Sequence, residues 1–575
     1  MKGEVTMKKV LAVLLALAMV LSLAACSGSG SGETTKAAET EAAKEDTKAA
    51  ETEAAKEDTK AAETEAPAPA DDGGEEPAAE SAYDTHIKIS MDVLNAEKTD
   101  KSEKDEFFRN KFNIEWELYP VTWEDWLEKI RTWVNGDDMP DIVWWDMKAS
   151  NTAEFKKWAA AGAFREIPED LSNWPNLAQL RDELFSDDLL LSVDGKLYGW
   201  PSSRKNPEFI DNAYYSMFAY RRDWAKAVGM YNEGDVYTWD EVKAMIDAVK
   251  EQDPGGNGVG NTIGIVSATW AFPGVYAELN AAQPDRIAYQ KDENGDYYLY
   301  AKTEKMAETV AFVRDLYQGG YIWKDQPNSS GDDGADKFHA GQAFMYLANN
   351  SPSYFNGDPL NKMVRGGICD ADGVAPMIVK SAVGEPYFYL LQTEDYWTVA
   401  SISHNVDDEK FERILDMWDW LASEEGRIFL VAGVEGKDYE VNADGTYNIL
   451  WDQDENGMYI SPYQDYAFNI YTPATLTASP NETSVTYGYD LFEPVYDYMQ
   501  NSGNFKCQHI PWEVMAWDGP AYSEYGYFES DVNAQMEIIV TDSNDIDAKE
   551  EWLKWIDSIS DKIKEVEDEL NANLK

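Results

Sequence analysis

From Tyr83 to Gly162 the chain switches repeatedly between a two-residue and a 3.6-residue apolar period, and that alternation restricts the folds open to it. His86-Ile87-Lys88-Ile89-Ser90-Met91 alternates as a strand does, a helix through Phe107 and Phe108 is expected next, and Ile114-Glu115-Trp116-Glu117-Leu118 alternates again. Trp123, Trp126, Leu127 and Ile130 share one helical face, Gly136 to Pro140 interrupts it, and Asp141-Ile142-Val143-Trp144-Trp145 reads as a buried strand. Phe155 to Gly162 is a further helix with a glycine stop. Strands and helices in alternation predict α/β layers around a largely parallel sheet.

The pattern continues. Val193 to Pro201 reads as a hairpin turning at Asp194-Gly195. Thr238-Trp239-Asp240-Glu241 is a capping box, opening a helix with Trp239, Val242, Ile246 and Val249 on its apolar face. Asp253-Pro254-Gly255-Gly256-Asn257-Gly258 ends it, and Thr262 to Val266 is the next strand. Near the C-terminus, Trp552, Ile556, Ile559, Ile563, Val566 and Leu570 recur at steps of four and three, which predicts one docked amphipathic helix.

What precedes Tyr83 cannot build a core. Lys8 and Lys9 lead into an apolar run from Val10 that ends at Leu23-Ala24-Ala25-Cys26, which resembles a bacterial lipobox. Residues 1–25 are thus expected to be a signal peptide, with Cys26 the lipidated residue. Residues 26–82 form an acidic tether built on a 12-residue unit, Thr-Lys-Ala-Ala-Glu-Thr-Glu-Ala-Ala-Lys-Glu-Asp, which starts at Thr35 and Thr47 and decays after Thr59. No copy carries a large apolar face, so a solvated spacer reaching about 40 Å is expected.

Charge excludes one class of partner. With 107 acidic and 49 basic residues, a formal net charge of -58, the chain lacks the basic footprint of a nucleic-acid binder. Its cysteines are Cys26, Cys369 and Cys507, so at most one disulfide could join the last two, and a large core must carry the fold. There is no Gly-x-Ser-x-Gly elbow, His-Glu-x-x-His helix or Walker loop, and four histidines show no metal spacing.

Several stretches, in their order and spacing, resemble the family 1 extracellular solute-binding proteins, the receptors of ATP-driven importers. They include Gly136 to Val143, Trp158 to Phe164, Asp194 to Pro201, Tyr220 to Gly229, Phe338 to Met345, and Ser423 to Arg427 followed by Gly433 to Glu440. The resemblance implies a periplasmic-binding-protein-like α/β fold: two lobes, hinge strands and a ligand cleft between them. Lobe one would contain residues 83–213, lobe two 214–400, and 401–575 would return to lobe one and add C-terminal helices. It also implies a lipid-anchored, monomeric, non-catalytic receptor at the outer face of a bacterial cytoplasmic membrane, delivering an oligosaccharide to an ABC-type permease. A secreted carbohydrate hydrolase and an adhesion or scaffold lipoprotein remain the alternatives.

Sugars present an apolar C–H face and a hydroxyl rim, so aromatic rings beside Asp, Asn or Arg suit them. The chain has 21 Trp, 33 Tyr and 20 Phe, most of which must be core. Trp123, Trp126, Trp158, Trp239, Trp418 and Trp552 fall at helical spacing and are assigned to packing. Strand ends and loops supply the candidates: Trp144, Trp145 and Asp146; Trp270 and Phe272; Asn349, Asn350 and Tyr354; Trp397; and, less directly, Trp200, Arg221 and Trp512. No cofactor or metal is expected. The nearest approach to a calcium loop is Asp253 with Asn257, where Gly255, Asn261 and Thr262 replace the carboxylates of related alginate receptors. Asp452 to Gly457 starts like an EF-hand but has Tyr463 at position 12, so a hairpin turn is expected.

Overall fold

A computed structural model describes residues 82–94, 96, 99, 101–147, 150–184, 192–202, 217–268, 289–329, 333–347, 359–383, 388–392, 398–443, 445–455, 457, 459–463, 489–501, 505–509, 512–515, 517–526 and 528–575. The chain begins with β1 (Ile87–Leu94), α1 (Glu103–Phe112), β2 (Ile114–Val121), α2 (Trp126–Gly136), β3 (Ile142–Asp146), α3 (Ser150–Ala160), α4 (Pro175–Leu184) and β4 (Trp200–Ser202). It continues with β5 (Met217–Arg221), β6 (Val236–Thr238), α5 (Trp239–Gln252), β7 (Ile263–Ser267), α6 (Glu304–Gln318), α7 (Asp333–His339), β8 (Ala343–Leu347) and β9 (Val374–Lys380). Last come β10 (Thr398–Ile402), α8 (Asp408–Ala422), α9 (Glu424–Ala432), α10 (Tyr489–Asn501), α11 (Phe528–Thr541), α12 (Ala548–Ser558) and α13 (Ser560–Asn573).

Two five-stranded sheets result, ordered β2-β1-β3-β10-β4 and β6-β9-β5-β8-β7. In the first, β1, β2 and β3 run parallel, while β10 is antiparallel to both β3 and β4. In the second, β5 is antiparallel to β8 and β9. Each sheet is the middle layer of an α/β lobe, as the alternation predicts. The first sheet takes strands from both sides of the second in sequence, so the chain leaves lobe one and returns to it at β10.

Local chemistry sets the element ends. Thr238 accepts from the Glu241 N–H while the Glu241 carboxylate accepts from the Thr238 N–H at 2.8 Å, the reciprocal cap read from sequence. Thr238→Ala should lower stability by about 1 kcal/mol in chemical denaturation. Asp194 and Gly195 both have positive φ, which a tight hairpin turn between Ser192–Val193 and Lys196–Leu197 requires. Between Asp452 and Gly457 the chain forms a hairpin turn, with Gln453 bridged to Tyr459 and Asp454 facing Arg365.

The C-terminal stripe does not form one helix. The chain breaks at Ile559, where the Ser558 and Ser560 hydroxyls donate to the Trp555 and Asp557 carbonyls and compete with the helical ladder. Both pieces dock on lobe two: Trp552 Nε1 donates to the Ala301 carbonyl, and Glu567 accepts from Leu299 N–H. Buried Arg314 of α6 donates to carbonyls of Ile539, Asp542 and Asn544, closing the C-terminal end of α11. α8 and α9 instead pack on lobe one, against α4 and α1.

Candidate functional site

In lobe one the parallel strands β1, β2 and β3 finish at one edge, at Leu94, Val121 and Asp146. Asp146 is paired with Thr398, the first residue of β10, and Thr398 with Ser202, the last of β4. Five chain segments therefore enter or leave the sheet along one row, the place where open α/β sheets bind ligands.

The turn after β2 brings an aromatic group to this row. Thr122 N–H donates to Asp125 Oδ1 at 2.8 Å, and Lys129 pairs with Asp125 at 2.8 Å, so α2 starts at Trp126. These hydrogen bonds hold the Asp125 carboxyl below the usual range. Trp123 thus lies in the turn, not on the helix, and is 61% exposed. Its ring stands edge-on to Trp126 at 6.0 Å and to Trp144 at 6.1 Å. Trp126 and Trp144 stack at 4.4 Å, and the Trp126 indole donates to the Trp144 carbonyl. The Trp144 N–H in turn donates to the buried Asp92 at 3.0 Å. Locked side chains behind one exposed ring make a preorganised platform.

The sequence-selected residues fall differently. Trp144 is 8% exposed and mostly covered by Trp126. Trp145 points to the opposite face, as the pleat requires, and is 1% exposed beneath Trp158, with its indole donating to Asn151 O. Helices cover both faces, so neither tryptophan presents an open ring. Asp146 is buried at the edge row, and Trp200 is enclosed at 1% exposure. Arg221 belongs to lobe-two packing: it is buried, holds Asp223 through two hydrogen bonds of 2.8 and 2.6 Å, and lies over Trp224. In this arrangement Trp145, Trp200 and Arg221 are buried, and Trp145 and Arg221 hydrogen-bond within the protein.

Lobe two ends its strands comparably at Ser267 and Leu347, which pair in register. Ser267 is buried and exchanges two hydrogen bonds with the Gln326 side chain. Gly334 of α7 lies so close to this strand end that an added Cβ would meet Ser267 O at 2.1 Å. Trp270, Phe272, Asn349, Asn350, Tyr354 and Trp397 lie outside the described residues, as does Cys26, and Trp512 is described only as the first residue of the helix Trp512–Met515.

The Asp253–Thr262 loop closes on its own donors. Asp253 accepts from Gly258 N–H at 2.8 Å, and the Asn257 amide donates to Gly341 O at 3.0 Å and to Thr262 at 3.3 Å. Among the described residues no three Asp, Glu, His or Cys side chains converge. Cys369 is a free thiol whose pKa burial pushes up to about 11, while the Cys507 side chain is outside the described residues.

The signal that could have found Trp123 lies in its neighbours: it stands two positions after the end of β2 and two before Asp125, a residue type that starts helices. Comparison with known proteins gives a consistent outcome. A family model for bacterial extracellular solute-binding proteins matches residues 104–361. Lipoprotein LipO of Bacillus subtilis (strain 168) is 25% identical over 66% of this chain and 72% of its own length. From the same organism, the polygalacturonan/rhamnogalacturonan-binding protein YtcQ is 22% identical over 65% of this chain and 72% of its own. The crystal structure of the alginate-binding protein AlgQ2 without calcium ion superimposes with a TM-score of 0.62 at 13% identity, covering 85% of this chain and 98% of that one.

Proposed function

The chain belongs to the bacterial extracellular solute-binding proteins, and on that premise we propose that it captures an oligosaccharide between its lobes and delivers it to an ABC-type permease. The observation that carries the reading is the exposed Trp123 ring braced by Trp126 and Trp144 at the strand-end row. An indole that is 61% exposed offers apolar surface of the kind a pyranose or furanose ring packs on, and edge-row backbone groups suit hydroxyls. The polysaccharide-binding names of YtcQ and AlgQ2 support the same ligand class. Asp146 and the sequence-selected residues Trp270, Phe272, Asn349, Asn350, Tyr354 and Trp397 are proposed to complete the site.

The receptor would act without catalysis: ligand shifts the lobes toward a closed form, which the permease recognises. The binding proteins among its relatives support this over a hydrolase. Thermal unfolding against a panel of neutral and uronic oligosaccharides tests the reading. A true ligand at 100 times its dissociation constant adds about 2.7 kcal/mol of stability. No shift with any sugar would count against it, and release of reducing ends would make the protein an enzyme.

Anchoring at Cys26 is the matching proposal for location, since two acyl chains suffice for stable attachment. Cys26→Ala should move the protein from the membrane fraction to the medium with its ligand affinity unchanged. Loss of affinity on release would show that the anchor does more than hold the body.

A further inference from the structure

A short helix far along the chain joins side chains of lobe two to the helix behind the strand-end row of lobe one. In lobe two, Tyr289–Lys291 and Tyr297–Leu299 form an antiparallel hairpin, with Gly295 at positive φ in its turn. Lys291 and Tyr297 are direct cross-strand partners, so their side chains stand on one face, with Lys291 Nζ 4.8 Å from the Tyr297 ring. Both meet one acceptor: Glu513 Oε1 takes hydrogen bonds from Lys291 Nζ and Tyr297 OH, each at 2.5 Å. Burial alone would raise the Glu513 carboxyl, but these donors hold it below its ordinary range. The hairpin is itself fastened to α13, where Asn571 accepts from Tyr297 N–H at 2.7 Å and donates to Tyr297 O at 3.1 Å.

Glu513 belongs to the helix Trp512–Met515, whose Val514 is buried, and that helix packs on α3 of lobe one. α3 is locked to β3 in turn: the Trp145 indole donates to Asn151 O at 3.0 Å, and Trp158 stands edge-on to Trp145 at 4.7 Å. β3 ends at Asp146, in the strand-end row. Just before the short helix, Phe505–His509 pairs in parallel with Phe388–Gln392, which lies on the path from β9 of lobe two to β10 of lobe one. The short helix therefore departs from beside the chain's return to lobe one. We propose that Glu513 is the pin of an interlobe latch: it fixes the helix Trp512–Met515 to lobe two where that helix meets α3, and so sets the resting separation of the lobes. A charge-assisted contact of this kind, made in one arrangement of the lobes and weakened in another, biases the equilibrium between them. The inference rests on the lobe closure of the proposed receptor and not on the identity of its ligand.

Electron–electron distance measurement on the full chain without ligand tests this. Nitroxides at Asp408→Cys on α8 of lobe one and Asp240→Cys on α5 of lobe two, both exposed, report the separation once the native cysteines are replaced by serine. Glu513→Gln should raise the population outside the main distance peak about fivefold, the low end of typical coupling between sites. The charge swap Lys291→Glu with Glu513→Lys should bring most of that population back. Tyr297→Phe, which removes one hydrogen bond and keeps the ring, should give a smaller shift in the same direction and remains informative if Glu513→Gln fails to fold. An unchanged distribution in both single variants would overturn the proposal, as would a charge swap that recovers nothing. Faster amide exchange confined to Trp512–Met515, with the lobe separation unchanged, would also overturn it and make the contact a local brace of lobe two. No sugar is added, so the result stands apart from the thermal unfolding that tests the oligosaccharide reading.

Discussion

Asp235→Asn should lower the free energy of unfolding by about 3–5 kcal/mol, the loss expected when one member of a buried ion pair is removed. Asp235 and Arg222 are both buried, and the guanidinium holds the carboxylate through Nε at 3.1 Å and through Nη2. The Tyr220 hydroxyl donates to the same carboxylate and lies 3.3 Å from Tyr237 OH, which accepts from Asn232 N–H at 2.9 Å. Burial first, and the Asp235 charge second, drive the Tyr220 hydroxyl far above its ordinary range. Asparagine keeps the volume but leaves Arg222 a buried cation without a counter-charge. Urea denaturation should show a lower midpoint at an unchanged slope, whereas a loss below 1 kcal/mol would mean that solvent reaches the site. The paired change Arg222→Met with Asp235→Leu should recover most of the loss, since a matched apolar pair removes both desolvation costs. The network ties central strand β5 to the turn before β6, so it stiffens the lobe that must move as a unit on closure.

Lys104→Met should stabilise the protein at pH 7 and weaken the alkaline gain in stability that the native chain shows. Lys104, on the first turn of α1, is buried, donates to Leu430 O at 2.7 Å near the end of α9, and lies over the Phe429 and Tyr463 rings. Burial lowers its pKa from 10.5 to about 8 against the favourable charges of Asp105 and Asp438. The unfolded chain therefore binds more protons than the folded one between about pH 8 and 10.5, and stability rises with pH across that window. The full span amounts to about 3 kcal/mol, of which methionine recovers what the lost hydrogen bond to Leu430 does not cancel. Tyr463, which donates to Asp438 at 2.5 Å, has its pKa raised and works in the opposite direction at higher pH. The difference between native and Lys104→Met curves removes that contribution, and a difference independent of pH would show Lys104 to be solvated.

Strands β1, β2, β3 and β7, the Thr238 capping box and the Asp194-Gly195 turn were legible because each depends on residues within a few positions. The insertion of β10 antiparallel between β3 and β4 depends on partners distant in sequence, Ala400 with Trp144 and with Trp200, and local periodicity does not encode it. A 4,3,4,3 stripe shows that α12 and α13 need a partner but not that the partner is α6 and its flanks, nor that two serines end the first helix.

The site was less legible than the fold. Alternation places Trp144 and Trp145 on opposite faces, yet only the structure shows helices over both. Arg221 had its partner two residues away in Asp223, so its ion pair was open to reading. Trp123 was hidden by its own spacing: it continues the helical stripe of Trp126 and Ile130, but the Thr122–Asp125 hydrogen bonds start the helix after it.

The most direct test of the central claim is a calorimetric titration of Trp123→Ala against the oligosaccharide that most stabilises the native chain. Removing a ring that is 61% exposed should leave the unfolding temperature within a degree or so, because little buried area is lost. Affinity should fall about tenfold to thirtyfold, or roughly 1.4–2 kcal/mol, through loss of the stacking surface. Unchanged affinity with intact stability would contradict the account and move the ligand away from the strand-end row of lobe one.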